Sequence, residues 1–263
     1  MLMIRLLRAP LPLLVPAMLA VALLVVPLVG LLQRAPWSSL VSRLVDDAVL
    51  EATRVSLVVS FSAAGLCLLL GLPLAWVLAR VDLPFPRLVR AVVLLPMVLP
   101  PVVAGAALLF ALGRRGLVGQ WLDSWFGVTL PFTTAGTILA ATFVALPFFV
   151  TTVESALVAQ GRDLEEAAAV NAAGPMTAFA TVTVPSIRGA IGAGLALSWA
   201  RALGEFGATI TFAGSLGGRT RTLPLQTFLA LESDPESAVA ISVLLLAVSL
   251  GVLVALRGRW LTR

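Results

Sequence analysis

The sequence predicts an all-α integral membrane protein with about six transmembrane helices. Hydrophobic residues make up 60% of the 263 residues and charged residues 12%, an apolar share beyond that of ordinary soluble domains. A helix needs roughly 20 apolar residues to cross the hydrocarbon core, because each residue rises about 1.5 Å. Runs of this length lie at Leu11–Leu32, Val55–Ala79, Ala91–Leu112, Pro131–Val150, Gly189–Ala213 and Ala238–Leu256.

The first run is predicted to be a retained helix. It follows Arg5 and Arg8, as the apolar part of a cleaved signal peptide also follows a basic stretch. It is longer, however, than the about 7–15 residues typical of such a peptide. Its length instead matches a membrane span.

The third run contains three prolines, Pro96, Pro100 and Pro101. Because proline has no backbone N–H, carbonyl groups of the preceding turn must find other partners in the protein or in a watery cavity. The prolines therefore predict a break in this helix, and Gly105 follows it. A helix that lines a path across the membrane and a helix that is bent for packing both fit the pattern.

The fifth run carries two charges, Arg201 and Glu205. Their spacing of four residues places them on one face of a continuous helix and allows an ion pair. A charge in mid-span costs at least about 2.5–3.5 kcal/mol on insertion scales, so these groups must be paired or face water. A structural pair and direct lining of a path remain open as alternatives.

The long connection at residues 151–188 is predicted to form a helix, a turn and a second helix along the membrane face. Ala167–Ala169 favour the first helix, and Gly174-Pro175 breaks it. A polar loop of this length is expected to be structured or to bind something.

The arginines favour a cytoplasmic location for this loop and for both chain termini, because cytoplasmic segments retain an excess of positive charge. The inside group is then Arg5, Arg8, Arg80, Arg87, Arg90, Arg162, Arg188, Arg257, Arg259 and Arg263, and the outside group is Arg34, Arg43, Arg54, Arg114, Arg115, Arg219 and Arg221. The pI of 11.3 reflects these loop arginines rather than nucleic-acid binding, for which the sequence shows no basic run with interleaved aromatic residues.

The residue types that the sequence lacks exclude several kinds of chemistry. All 18 basic residues are Arg, so the chain has no Lys for the phosphate-binding loop of an ATPase, and energy from ATP must come from a partner. His and Tyr are absent and the single Cys67 lies in an apolar run, so we predict neither a catalytic nor a metal site. Ion-coupled secondary transport is disfavoured, because Glu205 is the only acid deep in a predicted span.

The stretch at 163–185, DLEEAAAVNAAGPMTAFATVTVP, resembles the EAA loop of binding-protein-dependent ABC permeases. Glu166–Ala168 fit the start of that pattern, and Val184-Pro185 fit its end. Two positions depart from it, since Ala172 stands where the family usually has Gly and Val184 where it has Leu. Gly174-Pro175 lie where they can supply the turn.

Further segments narrow the resemblance to molybdate permeases. The similar segments are GLPLAWVLAR at 71–80, LPMVLPPVVAGAALL at 95–109, RALGEFGATITFAG at 201–214 and RTRTLPLQTFLALE at 219–232. Sulfate and thiosulfate permeases share much of this pattern and are the alternative.

The resemblance implies the architecture of a type I ABC importer permease with a cytoplasmic EAA coupling loop. It implies a second copy of the chain, a pair of ABC ATPase subunits that bind ATP and Mg, and an external substrate-binding protein, with no cofactor in the chain itself. The expected cargo is molybdate or tungstate, carried across the lipid bilayer of the inner membrane. Residues 1–54 would form the N-terminal helix and an external loop, residues 55–256 the transmembrane domain and residues 257–263 a cytoplasmic tail.

Three sets of candidate functional residues follow. For coupling to the ATPase they are Glu165, Glu166, Ala167, Ala168, Ala172 and Gly174, where small side chains permit close approach and acids offer charge. For the path or a helix pair they are Arg201, Glu205, Phe206, Pro100, Pro101 and Gly105. Outside the membrane, Arg219 and Arg221 are candidates for attracting the anion or docking the binding protein.

Overall fold

The structure is a computed structural model that describes residues 11–170 and 174–260. The described helices are α1 (Leu11–Gln33), α2 (Leu40–Leu44), α3 (Asp47–Arg80), α4 (Pro86–Val98), α5 (Pro101–Leu112), α6 (Gly119–Phe126), α7 (Thr134–Gln160), α8 (Asp163–Val170), α9 (Pro175–Ser186), α10 (Arg188–Leu203), α11 (Gly207–Ala213), α12 (Leu223–Ser233) and α13 (Pro235–Trp260). A π-helical turn, Phe179–Thr183, lies within α9. The predicted all-α membrane fold class is confirmed.

Among these helices, α1, α3, α7 and α13 are long and apolar enough to cross a membrane. Two bent pairs bring the number to as many as six if each pair is one span. The axes of α4 and α5 are bent by 116°, and those of α9 and α10 by 73°. The predicted third span is therefore a sharply broken element rather than a straight helix.

The core lies where α3, α7 and α10 pack against one another. The fully buried ring of Phe149 in α7 fits between Gly71 of α3 and Gly194 of α10. A Cβ atom at Gly71 would lie 2.6 Å from this ring, and one at Gly194 would lie 3.0 Å from it. Small residues at these two positions thus let three helices approach closely around one aromatic ring, as is common in membrane helix packing.

The break between α4 and α5 lies at Leu99 and Pro100. Leu99 is extended, with φ −60° and ψ 134°, as expected for a residue that precedes proline. Pro101 is the first residue of α5, where its missing N–H costs nothing. Pro96 lies inside α4 and does not break it. Of the three prolines, Pro100 and Pro101 thus mark the predicted break.

The prediction of one continuous fifth span, Gly189–Ala213, is wrong. The helix α10 ends at Leu203, and α11 begins at Gly207. The side chain of Glu205 accepts a hydrogen bond from the backbone N–H of Ala208 at 2.8 Å, which supplies a partner for the first turn of a new helix. Glu205 therefore lies beyond the end of α10, not on the same helix face as Arg201.

Two helices extend beyond their predicted ends. The helix α3 begins at Asp47, because the carboxylate of Asp46 accepts a hydrogen bond from the N–H of Ala48 and caps it. The helix α13 continues past the predicted end at Leu256 to Trp260.

The two N-terminal helices, α1 and α2, lie outside the core formed by α3, α7 and α10, and both contact α13. The described side chains of α1 are largely exposed, and this helix touches α13 only lightly. Next to it, Arg43 of α2 forms an ion pair with Asp234 at 2.7 Å and further bonds with Glu236 and Ser237. These bonds tie α2 to the beginning of α13.

Candidate functional site

A cavity of about 310 Å³ lies at the break between α4 and α5. Residues 96–101 and Ala104 form one side of it, Val144 and Phe148 of α7 another, and Arg201 of α10 the third. Pro100 and Pro101 have no N–H, so the carbonyl groups of Pro96 and Met97 lack the donors that a continuous helix would provide. Because both residues line the cavity, water in it would satisfy those carbonyl groups.

Arg201 forms the predicted pair with Glu205 at 2.7 Å between Nη1 and a carboxylate oxygen. The other carboxylate oxygen accepts the Ala208 N–H, so both oxygens of Glu205 are used. The Glu205 side chain is 2% exposed, whereas that of Arg201 is 29% exposed. The carboxylate is thus enclosed in protein, and Arg201 is the charged residue among those that line the cavity.

The break in α10–α11 packs directly against the break in α4–α5. A Cβ atom at Gly207 would lie 2.4 Å from Cβ of Pro101, and one at Gly105 would lie 2.6 Å from Cβ of Thr211. The two broken elements therefore meet through glycine. This contact brings the predicted residues Pro100, Pro101, Gly105, Arg201 and Glu205 into one region, and of these Pro100, Pro101 and Arg201 line the cavity.

Phe206 belongs to the same turn but points elsewhere. Its ring packs on Phe228 of α12, with 5.2 Å between ring centroids. It does not line the cavity. Phe206 thus joins the turn to α12 and is separate from the cavity group.

At the other end of α7, Glu165 of α8 is held inside the protein. Its carboxylate forms an ion pair with Nε of Arg80 at 2.8 Å and accepts the hydroxyl of Thr183 at 2.8 Å. Arg80 also donates to the carbonyl groups of Leu157 and Gly161. These bonds, called the Arg80 clamp below, join the ends of α3 and α7 to α8 and α9.

The outer side of the same loop is uncovered. Glu166 and Ala167 are exposed, and Ala168 is half-buried. Leu164, Val170 and Met176 are large apolar side chains that also face outward. Gly174 is exposed and precedes α9, while Ala172 lies outside the described residues. The loop therefore presents apolar side chains together with the exposed acids Asp163 and Glu166 to whatever lies beyond it.

A second cavity of about 210 Å³ lies on the inner side of the loop. Glu165, Ala169, Phe179 and Trp76 contribute to its walls, and the rings of Trp76 and Phe179 meet edge to face at 6.0 Å between centroids. The loop is thus held by the Arg80 clamp at one place and is loosely packed beside it.

The two external arginines differ in their contacts. Arg221 donates from Nε to the hydroxyl of Ser215 at 3.2 Å, and the loop around it is fixed by the buried hydroxyl of Thr220. The side chain of Arg219 is exposed, and its hydrogen bonds to other described residues involve its backbone: its N–H donates to the carbonyl group of Leu216, and its carbonyl group accepts the hydroxyl of Thr134. Arg219 is therefore the freer of the two charges.

Sequence reasoning missed Arg80, Thr183 and Gly207. The Arg80 clamp joins residues far apart in the chain, and no local pattern indicates which carboxylate an arginine will meet. Gly207 lies in a segment, GEFGATI, that the sequence predicts as continuous helix. The presence of two glycines around Glu205 was the available indication of a break there.

Comparison with known proteins gives a consistent result. Residues 69–263 match the family described as binding-protein-dependent transport system inner membrane component. The molybdenum transport system permease protein ModB of Mycobacterium tuberculosis (strain ATCC 25618 / H37Rv) is 42% identical over 244 residues, covering 93% of this chain and 92% of that protein. ModB of Escherichia coli (strain K12) is 37% identical over 220 residues, covering 84% and 96%. The sulfate transport system permease protein CysT of Escherichia coli (strain K12) is 35% identical over 232 residues, covering 87% and 83%.

The fold has a counterpart among solved structures. The crystal structure of a bacterial ABC transporter involved in the import of the acidic polysaccharide alginate matches with a TM-score of 0.74 over 96% of this chain and 95% of that one, at 20% identity. At that identity the likeness shows the fold alone. The overall fold of this chain is therefore also found in a transporter of known structure.

Proposed function

Because this chain belongs to the family of binding-protein-dependent transport system inner membrane components, we propose that it carries molybdate as the permease subunit of an ABC importer. The observation that carries the choice of cargo is the greater similarity to the two ModB permeases than to the CysT permease. Tungstate has the same charge and tetrahedral shape, so the same path would accept it. Sulfate is the second candidate, because the similarity to CysT also spans most of the chain.

The working assembly contains two copies of this chain, two ATPase subunits and an external binding protein. The family description itself names dependence on a binding protein. A related transporter of the same fold is known in complex with a periplasmic protein. ATP and Mg bind to the ATPase subunits, and this chain contributes the membrane path and the contact through which they drive it.

The contact with the ATPase is formed by α8 and the start of α9. Leu164, Val170 and Met176 are apolar and uncovered, and Glu166 lies among them as an exposed acid suited to a basic group of the partner. Glu165 serves a different purpose, because the Arg80 clamp uses its carboxylate within the chain. Movement of α8 is thereby passed to the ends of α3 and α7.

This assignment places the loop and both chain termini in the cytoplasm and the loop after α11 outside. The arginine distribution supports that orientation. Arg219, exposed on the outer loop, would then attract an anion or contact an acidic rim of the binding protein. Among the described residues, α1 and α2 would form the N-terminal helix and external segment, and α3, from Asp47, would begin the transmembrane domain.

Reconstitution in vesicles tests the cargo. With its ATPase and binding protein, the wild-type chain should take up molybdate at submicromolar supply, and sulfate should compete poorly. Sulfate uptake that excess molybdate does not reduce would contradict the proposal and favour the second candidate.

Coupling has its own test. Glu166→Lys should leave the chain inserted in the membrane but weaken co-purification of the ATPase and uncouple ATP hydrolysis from uptake. Glu232→Lys, at an exposed acid near the end of α12 for which the described residues show no ion pair, is the matched charge reversal and should leave both unchanged. Wild-type behaviour of Glu166→Lys would contradict the assignment of this surface.

A further inference from the structure

We propose that Arg201 and the cavity at the α4–α5 break form a transient oxyanion-binding site within the membrane. The proposal rests on the function proposed above and adds to it a place where the anion pauses. Three features of the structure support it: the charge at the cavity wall, the carbonyl groups at the wall that lack helical donors, and the volume of the cavity.

The charge at the wall is positive. Among the described residues that line the cavity, Arg201 is the only ionisable one. Its partner Glu205 is enclosed, with one oxygen on Arg201 and the other on the Ala208 N–H. The pair is therefore asymmetric: Arg201 lines the cavity and is partly exposed, whereas Glu205 is enclosed in the protein. The structure shows one guanidinium nitrogen in this pair, so the remaining N–H groups can donate to an oxyanion.

The cavity is suited to a hydrated anion. The carbonyl groups of Pro96 and Met97 lack helical donors, and both residues line the cavity, where water would supply donors. A water molecule occupies about 30 Å³ in the liquid, and the cavity of about 310 Å³ has room for a four-oxygen anion with several waters. The anion would keep part of its hydration and exchange the rest for the guanidinium.

The site is expected to be weak. Glu205 offsets most of the arginine charge, and Val144, Phe148 and Ala104 add apolar walls without donors. A transport path requires that an ion be attracted enough to enter and held loosely enough to leave. An unpaired arginine would hold a dianion more tightly, and Glu205 therefore sets the strength of the site as well as the position of the guanidinium.

Cysteine labelling in the assembled complex tests the site directly. In a Cys67→Ser background, Met97→Cys places a thiol at the cavity wall, and Val98→Cys gives a second such background. The measured quantity is the rate of modification by an anionic methanethiosulfonate reagent divided by the rate with a cationic one. This ratio should be highest with Glu205→Gln and intermediate with the native pair. With Arg201→Gln/Glu205→Gln it should be lowest, about tenfold below the ratio with Glu205→Gln.

Protection by molybdate gives the second readout. Molybdate should slow modification with the native pair and with Glu205→Gln, but not with Arg201→Gln/Glu205→Gln. A reagent ratio that is the same in all three chains, or protection that persists without Arg201, would overturn the site.

Uptake by the wild-type chain separates this proposal from the function on which it rests. If the wild type takes up molybdate but neither the reagent ratio nor the protection depends on Arg201, only the site is wrong. If the wild type does not take up molybdate in the same vesicles, the proposed function is wrong.

Discussion

The Arg80–Glu165 and Arg201–Glu205 pairs have the same chemistry in two different settings. The Arg80 side chain is 6% exposed, and each of its guanidinium nitrogens has an acceptor: Glu165 and the carbonyl groups of Leu157 and Gly161. Arg201 is 29% exposed, contacts only Glu205 through one nitrogen, and borders a cavity. Each guanidinium nitrogen of Arg80 thus bonds to a neighbouring helix or helix end. Arg201 instead keeps guanidinium nitrogens that are not part of its ion pair.

This difference separates a structural pair from one that is available for function. An arginine that is buried and has a protein acceptor at each nitrogen can transmit movement but offers little access to a ligand. An arginine held by one carboxylate keeps its position and still offers donors to an anion. For the question left open by the sequence, whether Arg201 and Glu205 form a structural pair or line the path, we propose a combined answer: the buried Glu205 holds Arg201 in position, and Arg201 lines the cavity.

The largest effect is expected at the buried carboxylate. Arg201→Ala leaves Glu205 with one N–H donor and no counter-charge, and removing one partner of a buried pair costs about 3–5 kcal/mol. Glu205→Ala should cost less, because the freed guanidinium can turn to the cavity. The double change Arg201→Ala/Glu205→Ala should cost less than Arg201→Ala alone. Thermal unfolding in detergent measures all three, and losses that simply add would show that the two side chains do not interact.

A somewhat smaller loss is expected at the Arg80 clamp. Glu165→Ala removes the ion pair with Arg80 and the hydrogen bond from the Thr183 hydroxyl. A hydrogen bond to a charged group, such as the one to Arg80, is worth about 1.5–3 kcal/mol. Arg80 keeps its two carbonyl acceptors, so its charge is not stranded. Protease cleavage between α7 and α9 should become faster in Glu165→Ala. The matched change Glu166→Ala, at the exposed neighbour, should leave cleavage unaltered and act only on the ATPase; equal cleavage of both variants would contradict the clamp.

The contact between α4–α5 and α10–α11 can be tested by packing alone, without changing a charge. Gly207→Ala would place a Cβ atom 2.4 Å from Pro101, and such overpacking typically costs about 1–3 kcal/mol. Gly192→Ala in α10 is the control, since nothing lies within 4 Å of its added Cβ atom. The melting temperature should fall in the first variant and stay level or rise in the second. An unchanged melting temperature in Gly207→Ala would mean that the contact is looser than the structure shows.

The sequence predicted the fold class well because the determining property, apolar length, is local. It also predicted the break at Pro100, since proline removes a donor wherever it stands. It failed at Gly204–Phe206, because the new helix begins with a hydrogen bond that the Ala208 N–H donates to the Glu205 carboxylate, and the spacing of charges does not reveal that bond. In the same way Glu165 and Glu166 are alike in sequence, and only the distant Arg80 makes one internal and the other exposed.

The smallest effect is expected from the external arginines. They show the same contrast at the surface, because the Arg221 side chain is hydrogen-bonded and the Arg219 side chain is exposed. Arg221 is bonded to Ser215, so Arg221→Gln should disturb the loop slightly, whereas Arg219→Gln removes an exposed charge without breaking a side-chain bond. Rim charges act mainly on association rates. Arg219→Gln should therefore lower the association rate of the binding protein severalfold at low salt, with little change near 0.15 M salt, where the Debye length is about 8 Å. Stopped-flow measurements at several salt concentrations provide the check. A deficit of the same size at every salt concentration would show that Arg219 makes a direct contact and is not merely a source of attraction at a distance.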